Sequence, residues 1–166
     1  MAIQNIGTIL TNIKSVLDTA NTTTASDYLS NGMSSKVAYV GKIAPEKIIM
    51  NQDQYPFVTS YIDNYEIESE TTARNQATGI RMSTFDVMVV GGVWNPNFSS
   101  KFEDPSDLDI YLLMQNVEQV FRNNTDLLGA VDYQKPNSVK FKSFVDEEND
   151  NHVRFGTMTL SVRKRY

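Results

Sequence analysis

Residues 55–94 read YPFVTSYIDNYEIESETTARNQATGIRMSTFDVMVVGGVW, and the pattern of this stretch decides the fold. Two strand-like runs enclose a polar segment with no large apolar residue between Ile67 and Ile80. In the first run Tyr55-Pro56 favours extended backbone; Tyr61, Tyr65 and Ile67 then share one parity while Val58 and Ile62 take the other. A strand keeps one parity per face, so this mixture predicts a bulge or bend at Asp63-Asn64. The second run, residues 80–90, returns as a strand with Phe85, Val87 and Val89 on the parity that Arg81 and Ser83 hold earlier, and Gly91-Gly92 is expected to end it. The two runs therefore predict a long β-hairpin whose polar arm, residues 68–79, has nothing to bury within its own domain.

Two helices are expected to cover that hairpin. Ile3, Ile6, Ile9, Leu10, Ile13, Val16 and Leu17 repeat at intervals of three and four, which predicts an amphipathic helix over residues 3–17. Its polar face carries little positive charge, so it fits a helix lying on a sheet better than one lying on a membrane. Asp104-Pro105-Ser106-Asp107 supplies a capping Asp, a first-turn Pro and further acid, all favourable at a helix N-terminus. Ile110, Leu113, Val117, Val120 and Phe121 form the stripe that follows.

The remaining segments read as connections and strands. Residues 21–35 are rich in Thr, Ser, Asn and Gly, and they read as a flexible loop long enough to act as a contact arm. Residues 36–41 suit an edge strand, and Pro45 can open a single helical turn. After residues 127–131 tuck back, a strand is expected over residues 138–145, then an acidic turn over residues 146–151 and a final strand. In that last strand Val153 and Phe155 are odd while Met158, Leu160 and Val162 are even, which predicts a β-bulge at Gly156-Thr157. The fold class is α+β: a mostly antiparallel sheet, two amphipathic helices on one face and a long hairpin arm, in one domain of 166 residues.

Composition narrows the chemistry. The formal charge of −5 disfavours a protein that wraps nucleic acid, since that binding is driven by Lys and Arg displacing counterions. There is no Cys and a single His, so thiolate catalysis, disulfides and multi-histidine metal sites do not arise, and no cofactor is expected. The N-terminal residues lack the basic region and apolar core of a signal peptide, and no window suits a membrane span, which predicts a soluble product of the cytoplasm.

Individual residues offer few catalytic candidates. Gly91-Gly92 is followed by Val93, Trp94 and Asn95-Pro96 rather than by a Lys-Ser/Thr pair opening a helix, so it does not fit a phosphate loop, and Trp94 reads as a core or interface anchor. Asp146, Glu147, Glu148 and Asp150 lack the spacing and central Gly of a calcium loop. His152, at the mouth of a strand, reads as exposed or capping rather than as a general base. No catalytic, cofactor or metal residue is nominated. The candidate contact residues are Glu68, Glu70, Arg74, Asn75 and Gln76 on the arm, with Arg163, Lys164 and Arg165 at the end of the chain. Three basic residues at a frayed end commonly form a solubilising tail, although on an acidic protomer they also offer a contact to an identical copy.

The order of elements resembles that of the tail terminator, or tail-completion, proteins of tailed bacteriophages. The resemblance spans most of the chain and rests on the YPFV strand opening, the RMSTFDVMVV strand before the second helix and the closing VRFGTMTLSVRKRY strand. It implies a non-enzymatic virion protein assembled in the host cytoplasm. In that role copies form a ring, commonly a hexamer, that caps the tail tube, stops tail growth and meets the head-tail connector, while DNA passes through the lumen unbound. A mass of 18.8 kDa corresponds to roughly 8,000 Å² of surface, of which two contacts of about 800 Å² per side take about a fifth. Two other expectations stand beside it: a different neck or connector component, and a stand-alone α+β domain with a ligand pocket between helices and sheet.

Overall fold

A computed structural model describes residues 6–22, 28–44, 52–69, 81–95, 105–146 and 151–165. The elements run α1 (Ile6–Thr22), β1 (Tyr39–Gly41), a 3-10 turn (Gln52–Gln54), β2 (Phe57–Ser69), β3 (Arg81–Asn95), α2 (Pro105–Asn123), β4 (Tyr133–Asp146) and β5 (Asn151–Arg165). The strands form one open sheet in the order β1-β2-β3-β5-β4. All neighbours pair antiparallel except β1, which lies parallel to the first three residues of β2. The fold is α+β, with both helices on one face of the sheet.

The stripes account for that face. Ile9, Ile13, Val16, Leu17 and Ala20 of α1 and Ile110, Leu113, Met114, Val117, Val120 and Phe121 of α2 are buried against Val58, Phe85, Val87, Val89, Met158, Leu160 and Val162. α1 begins among the expected residues but extends to Thr22, five residues beyond the predicted end, because Ala20 continues the stripe. The long loop of residues 21–35 is accordingly shorter, and its second half is lashed to α2. Leu29 is fully buried, Asn116 Nδ2 donates to the carbonyls of Leu29 and Asn31 at 2.8 and 3.0 Å, and the buried Asp109 carboxylate accepts from the Ser34 N–H at 3.0 Å and from its hydroxyl. Those residues act as a packed strap, not as a free contact arm.

β2 and β3 form the long hairpin, in register from Phe57 opposite Gly92 to Ser69 opposite Arg81. The register slips between Ile62 and Asn64, so Asp63 is the bulged residue and the expected parity switch falls where the sequence puts it. Two other expectations are overturned. β3 does not stop at Gly91-Gly92 but continues to Asn95. The glycines are sites of close approach rather than a terminus: a Cβ on Gly92 would overlap the Phe57 ring, and one on Gly91 would lie 2.9 Å from Met114 Sδ. Gly156 lies opposite Gly91, and a Cβ there would run into the same Met114 side chain, so the pair forms a trough that seats α2.

The bulge expected at Gly156-Thr157 is absent, and β3 and β5 pair without a slip from Met82–Arg165 to Asn95–His152. Phe155 on the odd parity is covered from the other side of the sheet. There Phe57 and Val90 form a second small core with Tyr39, Ile43, Tyr55, Tyr61 and Phe155 packed against it. The Phe57 ring sits edge-on to Tyr55 with centroids 5.1 Å apart and 6.3 Å from Phe155. A strand covered on both faces needs no bulge to hide both parities.

β4 starts at Tyr133, earlier than expected, because buried Gln134 ties it to the end of α2. Its Nε2 donates to the Phe121 carbonyl and, at 3.0 Å, to that of Asn124, carbonyls that also accept the Asn124 and Leu127 N–H groups at 3.2 Å, so the side chain reinforces the turn that closes α2. The register of β4 on β5 shifts between Pro136 and Val139, placing a proline on an edge strand where its missing N–H is tolerated. The expected turn at residues 45–50, the Asp104 cap and most of the acidic turn at residues 146–151 lie outside the described residues.

Candidate interaction surface

The helices cover one face of the sheet, and strand alternation determines what the other presents. On β3 and β5 the open face carries Thr84, Asp86 and Met88 beside Thr157, Thr159 and Ser161, and Ser161 Oγ donates to Asp86 Oδ1 at 3.3 Å. Hydroxyls and a carboxylate in the middle of a sheet leave it wet, whereas the end of the sheet near Phe57 is sealed by the aromatic cluster.

The sheet edges differ in sign. On β4, Lys135, Lys140 and Lys142 pair with Ser161, Thr157 and Phe155, so all three stand on the open face, and all three are exposed. On the opposite side β1 covers only the first three residues of β2, and beyond them lie exposed Asp63, Asn64 and Glu66. Apolar groups accompany the basic edge: Tyr133, Phe141 and Phe144 are all more than two-fifths exposed. Phe141 lies on the helix side, edge-on to Tyr111 of α2 with ring centroids 4.7 Å apart. Beyond the bulge the β2 side of the hairpin is exposed over residues 63–66, and its Tyr65 ring, 41% exposed, stacks on the buried Phe85 at 4.8 Å.

The nominated contact residues fall in three places. Glu68 is on β2 opposite Met82, while Glu70, Arg74, Asn75 and Gln76 lie outside the described residues. Arg163, Lys164 and Arg165 are not a frayed tail but the last turn-free residues of β5, paired with Thr84, Ser83 and Met82. The Asp132 N–H donates to the Arg163 carbonyl at 3.0 Å, and the Asp132 carboxylate accepts from the Arg165 N–H, which fastens the strand end. Alternation sends Arg163 and Arg165 to the open face and Lys164 to the helix side. With Met82, Asp132 and Tyr133 the two arginines line a concavity of about 430 Å³ on the open face, not between helices and sheet.

His152 is corrected as well: it is buried at the start of β5 rather than exposed. The three β4 lysines carry the clearest charge pattern on the sheet and were not among the expected contact residues. Their signal in the sequence is the alternation of Val139, Phe141 and Ser143 with Lys140, Lys142 and Phe144, which marks a half-exposed strand; that the strand is an edge follows only from the strand order. Among the described residues no helix is long and apolar enough to cross a membrane. The sequence matches no known family model and no curated protein.

Proposed function

We propose that this chain is a structural subunit of a tailed-phage virion: a ring of copies caps the head-proximal end of the tail tube, stops its growth and presents the surface that the head-tail connector meets. The observation that carries the reading is the long hairpin, thirteen and fifteen residues in its two strands, whose base is locked under the helices while its β2 edge beyond the bulge, residues 63–66, is exposed. A rigid base with an exposed extension suits docking on a neighbouring subunit or on a tube. The resemblance in element order supports the same role, and the acidic net charge suits a lumen that DNA crosses without being held.

Tail length is the test. Tails assembled in the absence of this protein should grow abnormally long, and adding the purified chain should restore a uniform length. Tails of normal length that fail to join heads would overturn termination and assign the chain to the neck. Replacing residues 70–80 by a short turn should leave the melting transition intact and abolish binding to purified tube; retained binding would move the docking contact off the arm.

A further inference from the structure

The two free edges of the sheet are unlike, and the difference specifies how copies meet. We propose that copies join head to tail by strand addition, with the β4 edge of one chain laid on residues 62–69 of β2 in the next. The inference rests on the ring reading only in taking self-assembly as the mode of action.

Strand direction permits the junction. β2 runs antiparallel to β3, β3 to β5, and β5 to β4, so β2 and β4 point in opposite directions within one copy. A second copy in the same orientation, slid along the strands by roughly 20 Å so that Lys140 and Lys142 clear β1 and come level with Glu66 and Asp63, therefore brings β4 against β2 as an antiparallel pair, continuing the ladder without inversion. Both edges have unspent backbone: among the described residues β4 beyond Gln134, whose N–H donates to the Thr125 carbonyl at 2.9 Å, pairs only with β5, and no strand pairs with residues 62–69 of β2 on the side away from β3.

Charge selects the partner. Lys135, Lys140 and Lys142 line one edge, and Asp63 and Glu66 the other. Within a copy these edges lie three strand spacings apart, about 14 Å, too far for direct pairing. Lysines on an edge strand oppose its pairing with an identical edge, so β4 against β4 sets lysine beside lysine, and β2 against β2 sets carboxylates together at a bulge. Only the unlike pairing brings opposite signs into contact. A contact between two different patches is heterologous, and such contacts close into a ring when the rotation allows. The junction also gives the exposed Phe144 on β4 a neighbouring strand to pack on.

The test uses the whole chain and two charge-reversed variants, Lys140→Glu with Lys142→Glu and Asp63→Lys with Glu66→Lys. All four positions are exposed, so the melting temperature of each variant should stay close to that of the parent. Mass measured by light scattering should show the parent assembling, and each variant alone should need on the order of tenfold higher concentration or more to assemble. One variant has two acidic edges and the other two basic ones, so an equimolar mixture should recover assembly by alternating them. An assembly indifferent to both reversals, or a mixture that fails to recover, overturns the junction. A parent chain that is monomeric both alone and with purified tail tube overturns the junction and the ring together. Assembly that follows the charges in a protein without effect on tail length overturns the tail-capping role and leaves the junction standing.

Discussion

The two halves of the β2–β3 hairpin are built from similar strand sequence and differ in what covers them. In the base, Phe57, Val58, Thr59 and Ser60 are buried, with helices on one side and the aromatic cluster on the other. Beyond the bulge, Asp63, Asn64, Tyr65 and Glu66 of β2 are exposed, although Phe85 opposite them on β3 stays in the core and the Tyr65 ring stacks on it. Strand propensity alone does not separate these halves; burial does, because β-residues gain most of their stability from neighbours on the pleated face. The base is therefore covered on both faces, whereas beyond the bulge the β2 edge is exposed over residues 63–66.

The strongest way to break this contrast is to charge the helix layer over the base. Val117 is fully buried in α2, so Val117→Asp places a carboxylate where nothing opposite can pair with it. The expected cost, about 5 kcal/mol or more, is comparable with the whole stability of a domain this size. Thermal melting should lose its cooperative transition. A variant that melted near the parent temperature would mean that α2 does not seal the base.

A smaller effect probes the other cover. Gly92→Ala adds a methyl group against the Phe57 ring, which is itself buried and braced by Tyr55 and Phe155. Overpacking of this kind costs about 1–3 kcal/mol, measurable as a lower denaturant midpoint with unchanged slope. In a Phe57→Leu background the same substitution should cost clearly less, since the ring it meets is gone. Equal costs in both backgrounds would show that the glycine serves something other than that contact.

The helix stripes were legible because each residue's partner follows from its own spacing: all five nominated residues of α2 are buried. Met114 was missed, and its role depends on Gly91 and Gly156 lying opposite each other, which only the strand register reveals. Parity switches show the same limit. The one at Asp63 is a bulge, whereas the one between Phe155 and Met158 reflects a second cover assembled from β1, β2 and their flanking residues. Both give the same local signal, and contacts distant in sequence decide between them. The candidate surface was legible in part for the same reason: Arg163 and Arg165 stand out as charges, but the β4 lysines acquire meaning only from the strand order.

The mildest perturbation sharpens the comparison by acting on the aromatic cover without removing it. Tyr55 packs edge-on to Phe57, its hydroxyl is shielded from solvent without a hydrogen-bond partner among the described residues, and burial pushes its pKa up to about 12. A raised phenol pKa means that the folded state holds the proton more tightly than the unfolded chain, whose tyrosines ionise near pH 10. The associated stability is complete below about pH 10 and is lost as the pH rises from there through about 12, because the unfolded state releases the proton first. Tyr55→Phe keeps the ring and deletes the unsatisfied hydroxyl, so at neutral pH stability should stay level or rise by about 1 kcal/mol. Between pH 10 and 12 the variant should lose less stability than the parent in denaturant titrations. Identical alkaline slopes would show that the phenol reaches water in the folded state and that the aromatic cover is open at Tyr55. A steeper loss at neutral pH in the variant would show instead that the hydroxyl has a structural partner.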